Sequence, residues 1–185
     1  MKSKEIKEVK KKSTSHVNRG LKFEKLIQNK CDELKEQGIA LISKVPTDWV
    51  VTRGAGGRIT SGFPRAESCF VDYVGIYKTK AVAIECKETK NKTSFPFANI
   101  KDTQIEFLKL WTELGGLGYY IIRFEENKKV FLVSSEDMHK CINTIDRKSV
   151  PYDYCIESED FIEIDYKKLD FENYKQYKQG KEVKR

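Results

Sequence analysis

Apolar residues recur along the chain with two different periods. In NRGLKFEKLIQNKCDELKEQG, residues 18–38, the apolar residues Phe23, Leu26, Ile27, Cys31 and Leu34 recur at three to five residues, with Leu26 and Ile27 adjacent. That spacing predicts an amphipathic helix, with Gly38 placed to end it. IALISKV, from Ile39, predicts a strand, as do CFVDYVGIY, AVAIECK, GYYIIRF and KVFLVS further on. IKDTQIEFLKLWTELGG predicts a second helix with a glycine stop, and SSEDMHKCINTI a third with a serine cap. DFIEID reads as a short last strand. Helices interspersed among strands predict an α/β fold with a central mixed sheet flanked by helices.

Two strands, CFVDYVGIY and AVAIECK, are joined by a short turn. With that turn centred on Lys78 and Thr79, Tyr77 faces Lys80, and counting down the ladder sets Asp72 opposite Glu85. Directly opposed side chains lie about 5 Å apart at Cβ. Lys87 follows on the same face, two residues past Glu85. Phe70, Val74, Ile76, Ala81 and Ala83 share this face, while Val71, Tyr73, Val82, Ile84 and Cys86 line the other. Both faces are apolar, so helices are expected on both. Two carboxylates and a lysine therefore converge at one end of a covered sheet.

Two carboxylates at that distance repel by roughly 3 kcal/mol at an effective dielectric of about 20. Lys87 can offset this as a structural ion pair. A hard divalent cation does so more fully, and Mg²⁺ held by one or two carboxylates plus phosphate oxygens is the arrangement of phosphodiester chemistry. Lys87 would then stabilise developing charge or help deprotonate an attacking water.

Composition narrows the partner. The 185 residues carry a net charge of +7, which fits solubility alone but favours an anionic partner, nucleic acid first. Residues 1–17 and 167–185 are lysine-rich and poor in apolar residues, and are expected to be disordered basic arms around one domain at 18–166. The Gly-rich stretch VVTRGAGGRITSGFPRAES reads as a loop or projecting arm, about 52–68, carrying Arg53, Arg58 and Arg65. Five scattered cysteines, at 31, 69, 86, 141 and 155, suggest reduced thiols in an intracellular, cytoplasmic protein. The basic N-terminus has no apolar core of a signal peptide, and no apolar run reaches the length of a membrane span. His16 and His139 are too few for an imidazole metal centre, and GAGGR lacks the ending of a phosphate-binding loop.

The blocks NRGLKFEKLI, SKVPT, VDYVGIYKTKAVAIECKETKNKTSFPFANIKDTQIEFL, GGLGYYIIRF and KSVPYDYC follow one another in order. Together they resemble the RecU-type Holliday junction resolvases of the PD-(D/E)XK nuclease superfamily, from about Asn18 to Asp165. The resemblance implies a restriction-endonuclease-like core and a Mg²⁺-dependent endonuclease, with Mn²⁺ able to substitute. It assigns Asp72 and Glu85 as metal ligands and Lys87 as the active-site lysine. Gln104 matches a glutamine lining the metal site, and Glu24 an acidic residue reaching that site from the first helix. Gln104 also stands at helical spacing from Leu108 and Trp111, at the border of the buried stripe, where a satisfied border amide is the plainer reading. Arg19 and Lys90, inside the matching blocks, join Arg53, Arg58 and Arg65 as candidate DNA contacts.

The family's usual threonine two residues before the aspartate is Phe70 here, and a phenyl ring cannot ligate a cation. The Gly/Arg segment takes the place of the family's stalk, which projects into the centre of a four-way junction. A homodimer acting on four-way junctions and duplex DNA is implied, with no membrane partner. A recombinase contact is compatible with the resemblance, though no residue pattern points to one. Two other functions stay open at this point: a restriction or nicking nuclease on the same fold, and a junction-binding recombination factor without catalysis.

Overall fold

The computed structural model describes residues 17–46, 49–64 and 71–165. Apart from Val17, which opens α1, the two basic arms lie outside the described residues, as do Arg65, Phe70 and the side chains of residues 17–22. In chain order the elements are α1 (Val17–Glu36), β1 (Ala40–Lys44), β2 (Trp49–Arg53), β3 (Ile59–Pro64), β4 (Tyr73–Tyr77), β5 (Lys80–Thr89), β6 (Ser94–Pro96), α2 (Asp102–Glu113), β7 (Leu117–Phe124), β8 (Lys129–Ser134), α3 (Ser135–Thr144), β9 (Ser149–Pro151), α4 (Tyr152–Glu157) and β10 (Ile162–Glu163).

Six strands form the central sheet in the order β1-β4-β5-β7-β8-β10. Only β5 and β7 run parallel, and the chain between them carries α2; the other neighbours are antiparallel. The α/β class and the mixed sheet are as the sequence predicts. Helix α1 covers one face: Phe23, Ile27, Cys31 and Leu34 pack on Tyr73, Val82, Ile84 and Ile121. Helices α2, α3 and α4 cover the other, with Leu108, Met138, Cys141 and Cys155 against Ala83, Tyr120, Ile122, Phe131 and Val133. Each large apolar side chain fully buried this way contributes about 1.5–3 kcal/mol.

The helix ends follow the expected signals. Ser134 caps α3, its hydroxyl oxygen accepting the Asp137 amide at 3.0 Å. Gly115, at φ 90°, terminates α2, a left-handed position that glycine takes without strain. At Gly75 the constraint is spatial: a Cβ there would stand 2.0 Å from the Leu41 carbonyl oxygen, so only glycine lets β1 approach β4.

Three points go beyond or against the expectations. Of the two readings of the Gly/Arg segment, loop or arm, the second is the nearer: β2 and β3 pair antiparallel into a separate two-stranded ribbon, with an irregularity between Thr52 and Arg53. Val51, Thr52, Ser61 and Phe63 alternate well enough to hold a ladder, and Gly56 and Gly57, at φ 77° and 76°, supply its turn. Secondly, β6, β9 and α4 were not legible in the pattern. They arise where three-residue strands containing prolines pair over a distance of more than fifty residues, Phe95 with Val150. Thirdly, Val71 joins the α2 side rather than the Tyr73 side. The β4 ladder begins only at Tyr73, so alternation does not extend back to Val71.

Candidate active site

The last pair of the β4–β5 ladder is Tyr73 with Ile84. One step further, where Asp72 faces Glu85, the side chains take over the hydrogen bonding. The Asp72 amide donates to Glu85 Oε2 at 3.2 Å, and the Cys86 amide donates to Asp72 Oδ2 at 2.8 Å. Each carboxylate thus closes the backbone of the opposite strand, and the main-chain carbonyl of Asp72 is held by the Val45 amide at 2.8 Å. The turn-counting that set Asp72 against Glu85 agrees with this register.

Lys87 stands on the Glu85 face of β5, its Nζ 2.7 Å from Glu85 Oε1. Helix α2 delivers Gln104 from above: its Nε2 donates to Glu85 Oε1 at 2.7 Å. Its Oε1 accepts from Lys87 Nζ at 3.0 Å and from the Lys101 amide at 3.1 Å. The amide oxygen is therefore spent on the lysine and on the start of α2. As arranged, Gln104 lines the site beside Glu85 and positions both Glu85 and Lys87.

Helix α1 brings Glu24 to the other side of Asp72. Tyr73, buried in the core, donates its hydroxyl to the Glu24 carbonyl at 2.8 Å and so pins the helix to the strand. The Glu24 carboxylate is paired with Lys44 at the end of β1. Both act on Asp72, Glu24 raising its proton affinity and Lys44 lowering it. Sequence reasoning missed Lys44. Its signal was weak, a lysine closing an apolar strand, and its place follows from the non-local pairing of Lys44 with Tyr73.

Burial dominates the electrostatics. Glu85 is 1% exposed, and its carboxyl is pushed up to about 7, by desolvation first and by the Asp72 charge second, against the opposing pull of Lys87. Asp72 is raised too, again mainly by desolvation. Burial likewise drives up the Cys86 thiol beneath the pair. Two carboxylates that resist ionisation, with one ammonium between them and Gln104, are short of positive charge. Among the described residues no group of three or more His, Cys, Asp or Glu is placed to hold a metal. A cation here would take two carboxylates and fill its shell from backbone carbonyl, water or substrate oxygen. That hard, oxygen-only, incomplete set fits Mg²⁺ and does not fit zinc.

The other candidates stay apart from this cluster. Arg53 and Arg58 are exposed on the ribbon, Arg53 donating to the Gly57 carbonyl at 3.0 Å. Lys90 lies past the end of β5, 4.0 Å from Glu125. Arg19 falls in α1. Among the described residues no helix is long and apolar enough to cross a membrane.

The chain thus combines a mixed sheet covered by helices on both faces with an aspartate, a glutamate and a lysine that meet where one strand pair ends. Residues 18–176 match the family Recombination protein U. The chain belongs to that family. It is 31% identical over 156 residues to the Holliday junction resolvase RecU of Streptococcus gordonii, covering 80% of this chain and 77% of the relative. To the Holliday junction resolvase RecU of Oceanobacillus iheyensis it is 32% identical over 159 residues, 82% of this chain and 81% of the relative. An archaeal Holliday junction resolvase, Hjc of Archaeoglobus fulgidus, superposes with a TM-score of 0.39 and 15% identity over 69% of this chain and 84% of its own.

Proposed function

We propose that this chain is a Mg²⁺-dependent endonuclease that resolves four-way DNA junctions in recombination and repair, working as a cytoplasmic homodimer. One observation carries the reading: Asp72 and Glu85 are locked to each other's strands, buried, and short of positive charge at the open end of the ladder. Asp72 and Glu85 would hold the ion, with Mn²⁺ an adequate substitute. When bound, the ion supplies charge stabilisation at a phosphodiester and a water of lowered pKa.

The protein's own groups do the rest. Lys87, fixed between Glu85 and Gln104, keeps an ammonium proton available for a non-bridging phosphate oxygen as charge develops there. Gln104 keeps Glu85 and Lys87 in register through the start of α2. Glu24, tied to Lys44, adjusts the charge on Asp72 without touching the reacting phosphate. The ribbon with Arg53 and Arg58 serves to neutralise phosphates near the branch point, a role also proposed for Arg65; Arg19, Lys90 and the lysine arms do so along the duplex arms. Contacts of this kind read shape and charge and carry little sequence information.

A gel assay with a mobile four-way junction and a duplex of the same sequence, each with and without Mg²⁺, tests this. The junction should be cut in a Mg²⁺-dependent way and the duplex left intact. Equal cutting of both would indicate a restriction or nicking nuclease. Tight junction binding with no cutting in Mg²⁺ or Mn²⁺ would indicate a binding factor without catalysis.

A further inference from the structure

The β2–β3 ribbon has an unusual surface. Residues 49–64 contain no Asp or Glu, in a chain whose residues are 34% charged. Their only charges are Arg53 and Arg58, both exposed. Trp49, Val51, Ile59 and Phe63 are exposed as well, Trp49 to 57%. Flat apolar side chains beside cations alone suit a partner that offers both aromatic rings and negative charge, which is nucleic acid.

Trp49 is set up before any ligand arrives. Directly opposed residues of a ladder share a face, so Trp49 and Val51 lie on one face with Pro64 and Gly62, and Val50 and Phe63 on the other. Gly62 leaves room beside the indole: a Cβ there would stand 3.6 Å from Trp49 Cε3 and 3.7 Å from Val51 Cγ1. The six-membered ring therefore leans on the ribbon backbone at Gly62, while more than half of the residue faces solvent. An aromatic ring laid over a glycine in a strand pair is held by that contact, so it loses little freedom when a second ring stacks on it.

The place of Trp49 in the chain ties it to the active site. The Val45 amide holds the Asp72 carbonyl, and Trp49 follows Val45 by four residues. Four residues reach at most about 14 Å, which is about four base steps at 3.4 Å each. In a continuous duplex both faces of every base are already stacked. At a branch point the stacks of the arms are interrupted, and a base face becomes available there.

We propose that Trp49 is a stacking platform for a nucleobase at the branch point, a few base steps from the phosphate that is cut. This rests on the junction-cutting reading above and adds a source of selectivity to it. Arg53 and Arg58 meet phosphates, which duplex and junction both carry; Trp49 meets a base face that only the junction offers. Stacking tolerates any base, so the contact selects structure and not sequence.

The protein's own fluorescence tests this. The substrates are a four-way junction and a duplex of the same sequence, both with hairpin-capped arms so that no helix end is free. In chelator, saturating junction should quench the emission of Trp49, taken as the difference between wild type and Trp49→Phe. Saturating duplex should leave it almost unchanged. The wild-type quench can also be read alone, because Trp111, the second of the two tryptophans, is packed in the cluster under α2. Trp49→Leu keeps an apolar cover over Gly62 but offers no ring. It should lower junction affinity about five-fold or more, the loss of one stacked base, and leave duplex affinity unchanged. Trp49→Phe should keep most of the junction affinity. Both variants should melt with wild type, since the ribbon belongs to neither core cluster. No quench by junction, an equal quench by duplex, or wild-type junction affinity in Trp49→Leu would overturn the proposal. So would a blue shift of Trp49 with rising protein concentration without DNA, which would mean that another copy of the chain covers the ring. Cutting is read separately. A junction that quenches Trp49 but is never cut in Mg²⁺ refutes the nuclease reading alone, and one that is cut without a quench refutes the stacking alone.

Discussion

Asp72→Asn and Glu85→Gln are each expected to abolish junction cleavage while leaving junction binding intact or tighter. Each replaces one of the two carboxylates by a neutral, weaker-ligating amide, and each removes a negative charge that repels DNA phosphates. The same substitutions should make the metal-free protein more stable at pH 8. The Glu85 carboxyl is held up to about 7 in the folded protein, against 4.5 as its ordinary value. Between those values the native state binds more protons than the unfolded state, so stability falls as pH rises through this window and then levels off. At pH 8 the ionised pair costs on the order of 3 kcal/mol. Glu85→Gln removes that cost, less whatever Lys87 loses with its partner. Thermal melting in chelator should therefore show the variant several degrees above wild type at pH 8, with the gap closing towards pH 5. A variant that cuts at the wild-type rate would end the assignment, and a gap that widens on acidification would reverse the electrostatic account.

Lys87→Ala should lower single-turnover cleavage by about 10²-fold or more, the usual loss on removing one preorganised transition-state donor. Binding of Mg²⁺ should change little, because the lysine is not an oxygen ligand. A second effect separates chemistry from scaffolding. Lys87 pulls the Glu85 carboxyl down, so without it Glu85 takes up its proton at still higher pH. The acidic limb of the rate–pH profile should move alkaline. A nearly normal rate with an unmoved profile would reduce Lys87 to a structural partner of Glu85.

The central hairpin was legible because its arithmetic is local. A two-residue turn at Lys78 and Thr79 fixes every pair down to Tyr73 and Ile84, and the carboxylates fall one step beyond. Alternation failed at Val71 for the converse reason, since it holds only where a ladder exists. Lys44 and the β6–β9 pair were hidden because their neighbours are distant in sequence, Tyr73 for one and the Val150 region for the other. Nor could the pattern show how Gln104 spends its two ends, because that depends on the start of α2 falling at Lys101. The pattern left the Gly/Arg segment open between loop and arm because its glycines hide the alternation of a strand pair, whereas two of them shape the ribbon's turn.

The claim on which the rest depends is that Asp72 and Glu85 form a cation site. The most direct measurement is the Mg²⁺-induced shift in melting temperature at pH 8, without DNA, for wild type and Glu85→Gln. Wild type should gain stability as Mg²⁺ rises, following the binding isotherm, and Glu85→Gln should gain little. Equal gains in the two proteins would show that any cation binds elsewhere and that the buried pair is a structural feature of the sheet.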